Sequence, residues 1–281
     1  MHGRTGCLAF AAVVLQAVVS CGGPDVGVSL QEQMHAGIYG GEPAVEPYHA
    51  AVVGIHQRYG DYVSISPFCS GTLLSDRVVL TAAHCLDVAA GGRTPVTIDP
   101  SEVAVYFGDE AATDPNPIAY AVEDTLIHPA YSRYSHTSDI AVLRLSVGPG
   151  SDVAAPVAHL PADLGLRDAD VGALTLNFAG FGEIEDGSYG VKLAADGLLG
   201  GLGCSVYGCP TPGNASVQLS YDQGSGGPCF GDSGGPAFVV RGSEVYVAGV
   251  TSYGDGDCTV YGVSTRVDAF DNWLTAYLGA P

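Results

Sequence analysis

The sequence predicts an all-β fold closed by one C-terminal helix, and three observations carry that expectation. Short apolar segments of strand length recur from about residue 50 onward. The 40 Gly and 17 Pro are spread through the chain and punctuate those segments with turn signals, the pattern of a sandwich or barrel. One good helical period occurs, at the C-terminus. In order, the strand-like segments are Ala51–His56, Gly71–Leu74, Val78–Thr81, Val103–Phe107, Ile140–Leu145, Leu174–Gly180, Val245–Ser252 and Gly262–Val267. Turn-rich stretches such as Gly91-Gly92-Arg93-Thr94-Pro95 separate them, and a Gly/Pro-containing stretch at about 148–172 divides them into two comparable groups. At the end, Val267, Phe270, Trp273, Leu274 and Tyr277 follow i, i+3, i+4 spacing, which marks a helix with one apolar face.

Length and composition bound the possible functions. With 281 residues and 47% apolar content, the chain is long enough to bury a sizeable core in one large domain or two small ones. Its formal net charge is −20 and it carries a single lysine, Lys192. Such acidity repels phosphate backbones, so nucleic-acid binding is not expected, and it keeps the chain soluble.

The N-terminal twenty residues look like an export signal. Arg4 is followed by an apolar run from Cys7 to Val19 that is too short to span a membrane comfortably. Val18-Val19-Ser20-Cys21 resembles the lipobox of bacterial lipoproteins, which implies lipidation of Cys21; the competing reading is ordinary signal cleavage with Cys21 incidental. Beyond it lie six cysteines (69, 85, 204, 209, 229, 258), an even number available for three disulfides in an oxidising compartment. Their spacings lack a Cys-x-x-Cys unit and argue against zinc. Residues 21–37 show no hydrophobic period and are expected to be a linker or propeptide.

Four segments carry chemistry. Thr81-Ala82-Ala83-His84-Cys85 ends an apolar strand with a histidine. Ser138-Asp139-Ile140-Ala141-Val142-Leu143 sets a carboxylate at the head of a buried strand. Cys229-Phe230-Gly231-Asp232-Ser233-Gly234-Gly235-Pro236 places a serine in a glycine-rich bend, and Ile38-Tyr39-Gly40-Gly41 follows the linker. Taken singly, each has a structural explanation: a core histidine, a turn cap, a loop. Together, in the order His, Asp, Ser, they resemble the chymotrypsin-like (trypsin-like) serine peptidases over residues 38–281.

The resemblance implies two packed antiparallel β-barrels, a first over about 38–155 and a second over about 165–266, with the helix at about 267–278. It implies a secreted serine endopeptidase with His84, Asp139 and Ser233 as triad, and with the Gly231 and Ser233 N–H groups as oxyanion hole. It further implies the disulfides Cys69–Cys85, Cys204–Cys209 and Cys229–Cys258. A protein or peptide substrate, a monomer and no cofactor are expected. Ser252, Tyr253 and Gly254 would pair with an extended substrate. Gly227, at the pocket floor, and the wall positions Gly254 and Gly262 leave a roomy uncharged slot for a large apolar or aromatic side chain before the scissile bond (P1). Asp255 or Asp257, turned inward, would favour a basic side chain instead. Cleavage at Gly37–Ile38 would free an ammonium to pair with Asp232, and would sever a lipid anchor at Cys21. Asp109, Glu110 and Asp114 lie where some relatives hold calcium, but a solvated acidic loop is expected here, and no metal is assigned.

Two other classes remain in view. A non-catalytic peptidase homologue acting as a binding module would be expected to lose a triad member, and none is missing. An esterase of the α/β-hydrolase type carries its triad in the order Ser, Asp, His within alternating strands and helices, which this sequence lacks.

Overall fold

The computed structural model describes residues 38–111, 113–114, 117–183, 187–204, 215–224 and 226–279. The leader, Cys21, Gly37 and Cys209 lie outside the described residues. Among the described residues fourteen strands follow one another. They are β1 (Glu42–Pro43), β2 (Val52–Tyr59), β3 (Tyr62–Val63), β4 (Cys69–Leu73), β5 (Val78–Thr81), β6 (Val103–Tyr106), β7 (Ala119–Ile127) and β8 (Ala141–Leu145), then β9 (Thr175–Gly180), β10 (Leu193–Leu202), β11 (Gln218–Asp222), β12 (Pro236–Arg241), β13 (Glu244–Gly254) and β14 (Tyr261–Arg266). One helical turn, α1 (Ala83–Leu86), follows β5, and the longer α2 (Asp271–Leu278) ends the described chain.

The strands close into two six-stranded antiparallel barrels. In the first the order is β2-β4-β5-β8-β7-β6, and β6 pairs back onto β2 with Gly54 opposite Tyr106. In the second it is β9-β10-β11-β14-β13-β12, closed where Ala237 of β12 faces Phe178 of β9. Closure removes the sheet edges that would otherwise invite pairing with other chains. This is the chymotrypsin-like fold that the motifs imply.

The apolar strands follow from their residues. Val78, Val79 and Leu80 of β5 and Val142, Leu143 and Leu145 of β8 are buried, and β-branched and aliphatic side chains suit strands covered on both faces. Burying each such side chain contributes about 1.5–3 kcal/mol. Phe238, Val247 and Val250 of the second barrel belong to the same apolar cluster as the first barrel's core, which fastens the two together. A second cluster fills the other barrel around Leu176, Phe178, Leu199, Leu219 and Tyr221.

Three expectations need correction. The segment from residue 38 does not begin the first barrel. Ile38 is fully buried in the second cluster, Tyr39 bridges Gly227, and β1 pairs with β10. The reason is the apolar seat that the second barrel offers Ile38. Four long strands (β7, β10, β11 and β12) lie outside the segments expected from the sequence. Finally, the α-helix starts at Asp271, after a 3-10 turn at Asp268–Phe270. Val267 and Phe270 precede it, but both are buried with Leu274. Among the described residues, no helix is long and apolar enough to cross a membrane.

Candidate active site

His84, Asp139 and Ser233 come from three separate segments, and the fold fixes each backbone by a different device. His84 sits in α1, the turn that follows β5, and the Cys69–Cys85 disulfide ties that turn to β4. Asp139 lies just ahead of β8, where Ser138 takes a left-handed backbone with φ +54°. Ser233 occupies the bend before β12, between Gly231 at φ +90° and Gly234 at φ +82°. At Gly234 a Cβ would come within 2.4 Å of the Ser70 carbonyl oxygen and closer still to Thr81 Oγ1, so only glycine fits. A second disulfide, Cys229–Cys258, holds the bend against the loop after β13. Cys204 is itself disulfide-bonded; its expected partner, Cys209, lies outside the described residues.

Asp139 is wholly buried and fully engaged. Its Oδ1 accepts from the His84 backbone N–H at 2.8 Å, and its Oδ2 lies 2.7 Å from His84 Nδ1. Ser252 Oγ donates to Oδ2, and Thr265 Oγ1 donates to the Asp139 carbonyl at 2.9 Å. Burial alone would raise this carboxyl's pKa. The neighbouring His84 charge, the hydrogen bonds from His84 and Ser252 and the nearby His136 ring outweigh it and hold the group well below the usual carboxylate range. For His84 the balance is mirrored: burial disfavours the imidazolium, but Asp139's charge and hydrogen bond raise its pKa. The pairing fixes the ring's orientation and stabilises the charged form.

The bend around Ser233 is clamped from several directions. Ser70 Oγ donates to the Gly231 carbonyl at 3.0 Å and accepts from the Phe181 N–H at 3.0 Å. The Ser70 N–H donates to the Ser233 carbonyl at 2.8 Å, and the Glu183 N–H to the Phe230 carbonyl at 2.6 Å. That last bond orients the peptide whose N–H belongs to Gly231. Neither the Gly231 nor the Ser233 N–H donates to a protein acceptor among the described residues. Two oriented, unengaged amide donors beside a serine can stabilise a developing oxyanion.

Asp232, the residue before the serine, turns inward. Its side chain accepts from the Gly182 N–H at 2.8 Å and the Cys229 N–H at 2.9 Å. Burial raises its pKa to about 7 against the pull of the Cys229, Gly182 and Ile38 N–H groups. Ile38 and Asp232 are thus brought together.

Two cavities meet at His84 and Ser233. One, of about 340 Å³, is bordered by Tyr221, Phe230, Thr251, Ser252, Tyr253 and Gly254; the other, of about 460 Å³, by Phe68, Cys69, Cys85, Tyr189 and Gly231. Gly227 and Gly262, expected to line the pocket, do not border the first cavity. The Tyr221 ring lies against Gly262, where even a Cβ would come within 2.3 Å of it, and Gln223 packs against Gly227. Tyr221 pairs across from Gly262 in the β11–β14 ladder, so the neighbouring strand fills the space that the glycines leave. The slot is therefore shallower than three glycines alone suggest. Asp255 borders the cavity, but its carboxylate accepts from the N–H groups of Asp257, Thr259, Val260 and Tyr261, while Asp257 is exposed.

Four residues at the site had no place in the sequence reading: Ser70, Tyr221, Gln223 and His136. The only sequence signal for His136 is its position three residues ahead of Asp139. In the acidic loop, Asp109 meets Lys192 at 3.1 Å and Asp114 accepts from Tyr106 Oη at 2.9 Å.

The comparisons with known proteins agree with this geometry. The sequence model of the trypsin family matches residues 38–274. Brachyurin of Leptuca pugilator is 30% identical over 223 residues, covering 75% of this chain and 88% of that protein. The venom protease of Bombus pensylvanicus is 29% identical over 254 residues, or 83% of this chain and 96% of that one. Venom serine protease Bi-VSP of Bombus ignitus is 28% identical over 249 residues, 84% of this chain and 67% of its own length. A family match that spans both barrels and contains the His84, Asp139 and Ser233 segments places this chain in the trypsin family of serine proteases.

Proposed function

We propose that the chain is a secreted serine endopeptidase that hydrolyses peptide bonds through an acyl-enzyme. The observation that carries this reading is the meeting of the two cavities at His84 and Ser233, which leaves room for a polypeptide on both sides of the nucleophile. A serine hydroxyl becomes an effective nucleophile when a neighbouring base takes its proton. His84 removes the Ser233 Oγ proton as Oγ bonds to the scissile carbonyl carbon. Asp139 holds the ring and stabilises the imidazolium. The Gly231 and Ser233 N–H groups receive the oxyanion. The amine then leaves with the proton from His84, and water repeats the sequence to release the acid. Labelling of Ser233 by an organophosphonate, together with cleavage of a folded protein or long peptide, tests the proposal. A chain that labels nowhere is a binding module, and one that hydrolyses esters alone is an esterase.

For P1 we favour apolar or aromatic side chains. Support comes from a cavity walled by Tyr221, Phe230 and Gly254, with its one bordering carboxylate, Asp255, tied into its own loop. The alternative of basic specificity rests on Asp255 standing at that border. A peptide library read by mass spectrometry separates the two: Phe, Tyr or Leu at P1 supports the first, Arg or Lys the second.

Activation by cleavage at Gly37–Ile38 is supported by the buried seat of Ile38 beside Asp232. A new ammonium there would neutralise a carboxylate that is otherwise buried without a cation among the described residues. No Lys or Arg lies between Arg4 and Arg58, so the activating cut is not of trypsin type. Export, and a lipid on Cys21 that the same cut would sever, rest on the leader's sequence alone. N-terminal sequencing of the active species after cell fractionation tests both. Active enzyme that still carries residues 22–37 in the membrane fraction overturns them.

A further inference from the structure

The carboxylate that holds the His84 ring has a second imidazole within reach. His136 Nδ1 lies 3.8 Å from Asp139 Oδ2, and the His136 ring meets the His84 ring edge-on with centroids 6.0 Å apart. One donor atom from each of His84, His136 and Asp139 lies within 4.8 Å of the other two. His136 Nδ1 is buried and has no hydrogen-bond partner. Its place is fixed, not incidental. The backbone at His136 is left-handed, with φ +48°; its carbonyl accepts from Gln218 Nε2 at 3.1 Å; and a bridge between Ser132 and Thr137 closes the loop that carries it. Non-glycine residues seldom hold such a conformation unless the surroundings impose it.

Two imidazoles and a carboxylate form the ligand set of zinc sites that keep a fourth position open, and imidazole selects zinc or copper over magnesium or calcium. A chain of net charge −20 also concentrates cations around itself. We propose that Zn2+ binds between His84, His136 and Asp139 and reversibly inhibits the enzyme. Bonds of about 2.0–2.1 Å to nitrogen require the rings to draw together by roughly an ångström, which the partly exposed His84 and His136 side chains permit. The ion takes Nδ1 of the neutral His84 ring, and the ring's one proton passes through solvent to Nε2. There it faces Ser233, and a ring in that tautomer accepts no proton from the serine. The inhibitory consequence rests on the proposed role of His84 as general base; the binding does not.

The full chain, purified in chelator-free buffer and assayed on a peptide substrate, should lose activity saturably as ZnCl2 is added. EDTA should restore it, and MgCl2 should have no effect. His136→Asn, measured against its own metal-free rate, should need more than about tenfold more zinc for half inhibition, at least the loss seen when an outer-shell partner of a metal ligand is removed. Calorimetry on the full-length Ser233→Ala chain should show one zinc per chain, and adding His136→Asn should abolish it. His136→Gln serves where the asparagine variant fails to fold. Zinc affinity and inhibition that are indifferent to both His136 substitutions overturn the site. Binding that depends on His136 in a chain with no peptidase activity keeps the site and removes the general-base reading.

Discussion

A buried carboxyl whose pKa lies near 7 makes the uncleaved chain sensitive to pH in a direction opposite to that of the cleaved chain. Asp232 has an ordinary value of 3.8, and burial raises it to about 7 in the folded chain. A carboxyl with a raised folded pKa binds more protons folded than unfolded across that window, so stability falls as pH rises through it. The full shift of about 3 units corresponds to about 4 kcal/mol, of which roughly 2.5 kcal/mol falls between pH 5 and 8. Full-length Ser233→Ala, which cannot process itself, should therefore lose about that much unfolding free energy over this range relative to Ser233→Ala/Asp232→Asn. Urea unfolding followed by Trp273 fluorescence at pH 5, 6, 7 and 8 measures it, and the difference between the chains cancels every other titrating group. Cleavage after Gly37 reverses the sign. The Ile38 ammonium then pairs with the ionised carboxylate, and substituting Asn costs about 3–5 kcal/mol at pH 8, as breaking a buried pair does. An uncleaved difference that stays flat from pH 5 to 8 refutes the account of Asp232 as a buried, cation-free carboxyl.

Three further outcomes follow from the site. Ser233→Ala and His84→Ala should each lower kcat by about 10⁴–10⁶, with the double variant scarcely worse, since residues acting as a unit lose their effect together; steady-state kinetics in which the two losses multiply would count against a shared role. Gly234→Ala should cost more than about 2 kcal/mol, because the left-handed backbone and the contact with Ser70 and Thr81 leave no relaxed position for a Cβ, and thermal melting monitors this. Gly254→Val, whose Cβ would approach the Tyr261 carbonyl oxygen to 2.7 Å, should lower kcat/KM for a Phe P1 substrate by at least tenfold more than for an Ala one, and equal losses would place P1 elsewhere.

Strands whose two faces are both buried announce themselves in composition, which is why β5 and β8 were legible as Val-Val-Leu-Thr and Ala-Val-Leu-Arg-Leu. The strands that escaped do so for separate physical reasons. β10 contains Gly197, Gly200 and Gly201, residues that normally read as breakers; at Gly197 a Cβ would sit tight against the Phe178 ring, at 3.1 Å. β11, Gln-Leu-Ser-Tyr-Asp, is buried along nearly its whole length although most of it is polar. Gln218 reaches the His136 carbonyl, a partner 82 residues away that no local pattern reveals. β7 is half exposed on a surface rich in acidic residues, so it lacks the apolar run that marked the others.

The site divides along the same line. Residue types and spacing within one segment exposed the Ser233 bend, because its glycines and inward carboxylate are demands of a single tight backbone path. Counting along the chain also set Gly227 and Gly262 in the pocket, yet neither borders the cavity at Ser233. What fills the space beside a glycine is decided by the residue across the ladder. Here Tyr221 stands opposite Gly262 in the β11–β14 register, and its ring packs tilted against that of Phe178 on β9, with centroids 4.3 Å apart. A one-residue slip of β11 would turn Tyr221 out of the barrel and reopen the slot. Depth of this cavity is therefore a property of strand register, held in place by the aromatic pair, and it is set by residues that no motif around the nucleophile contains.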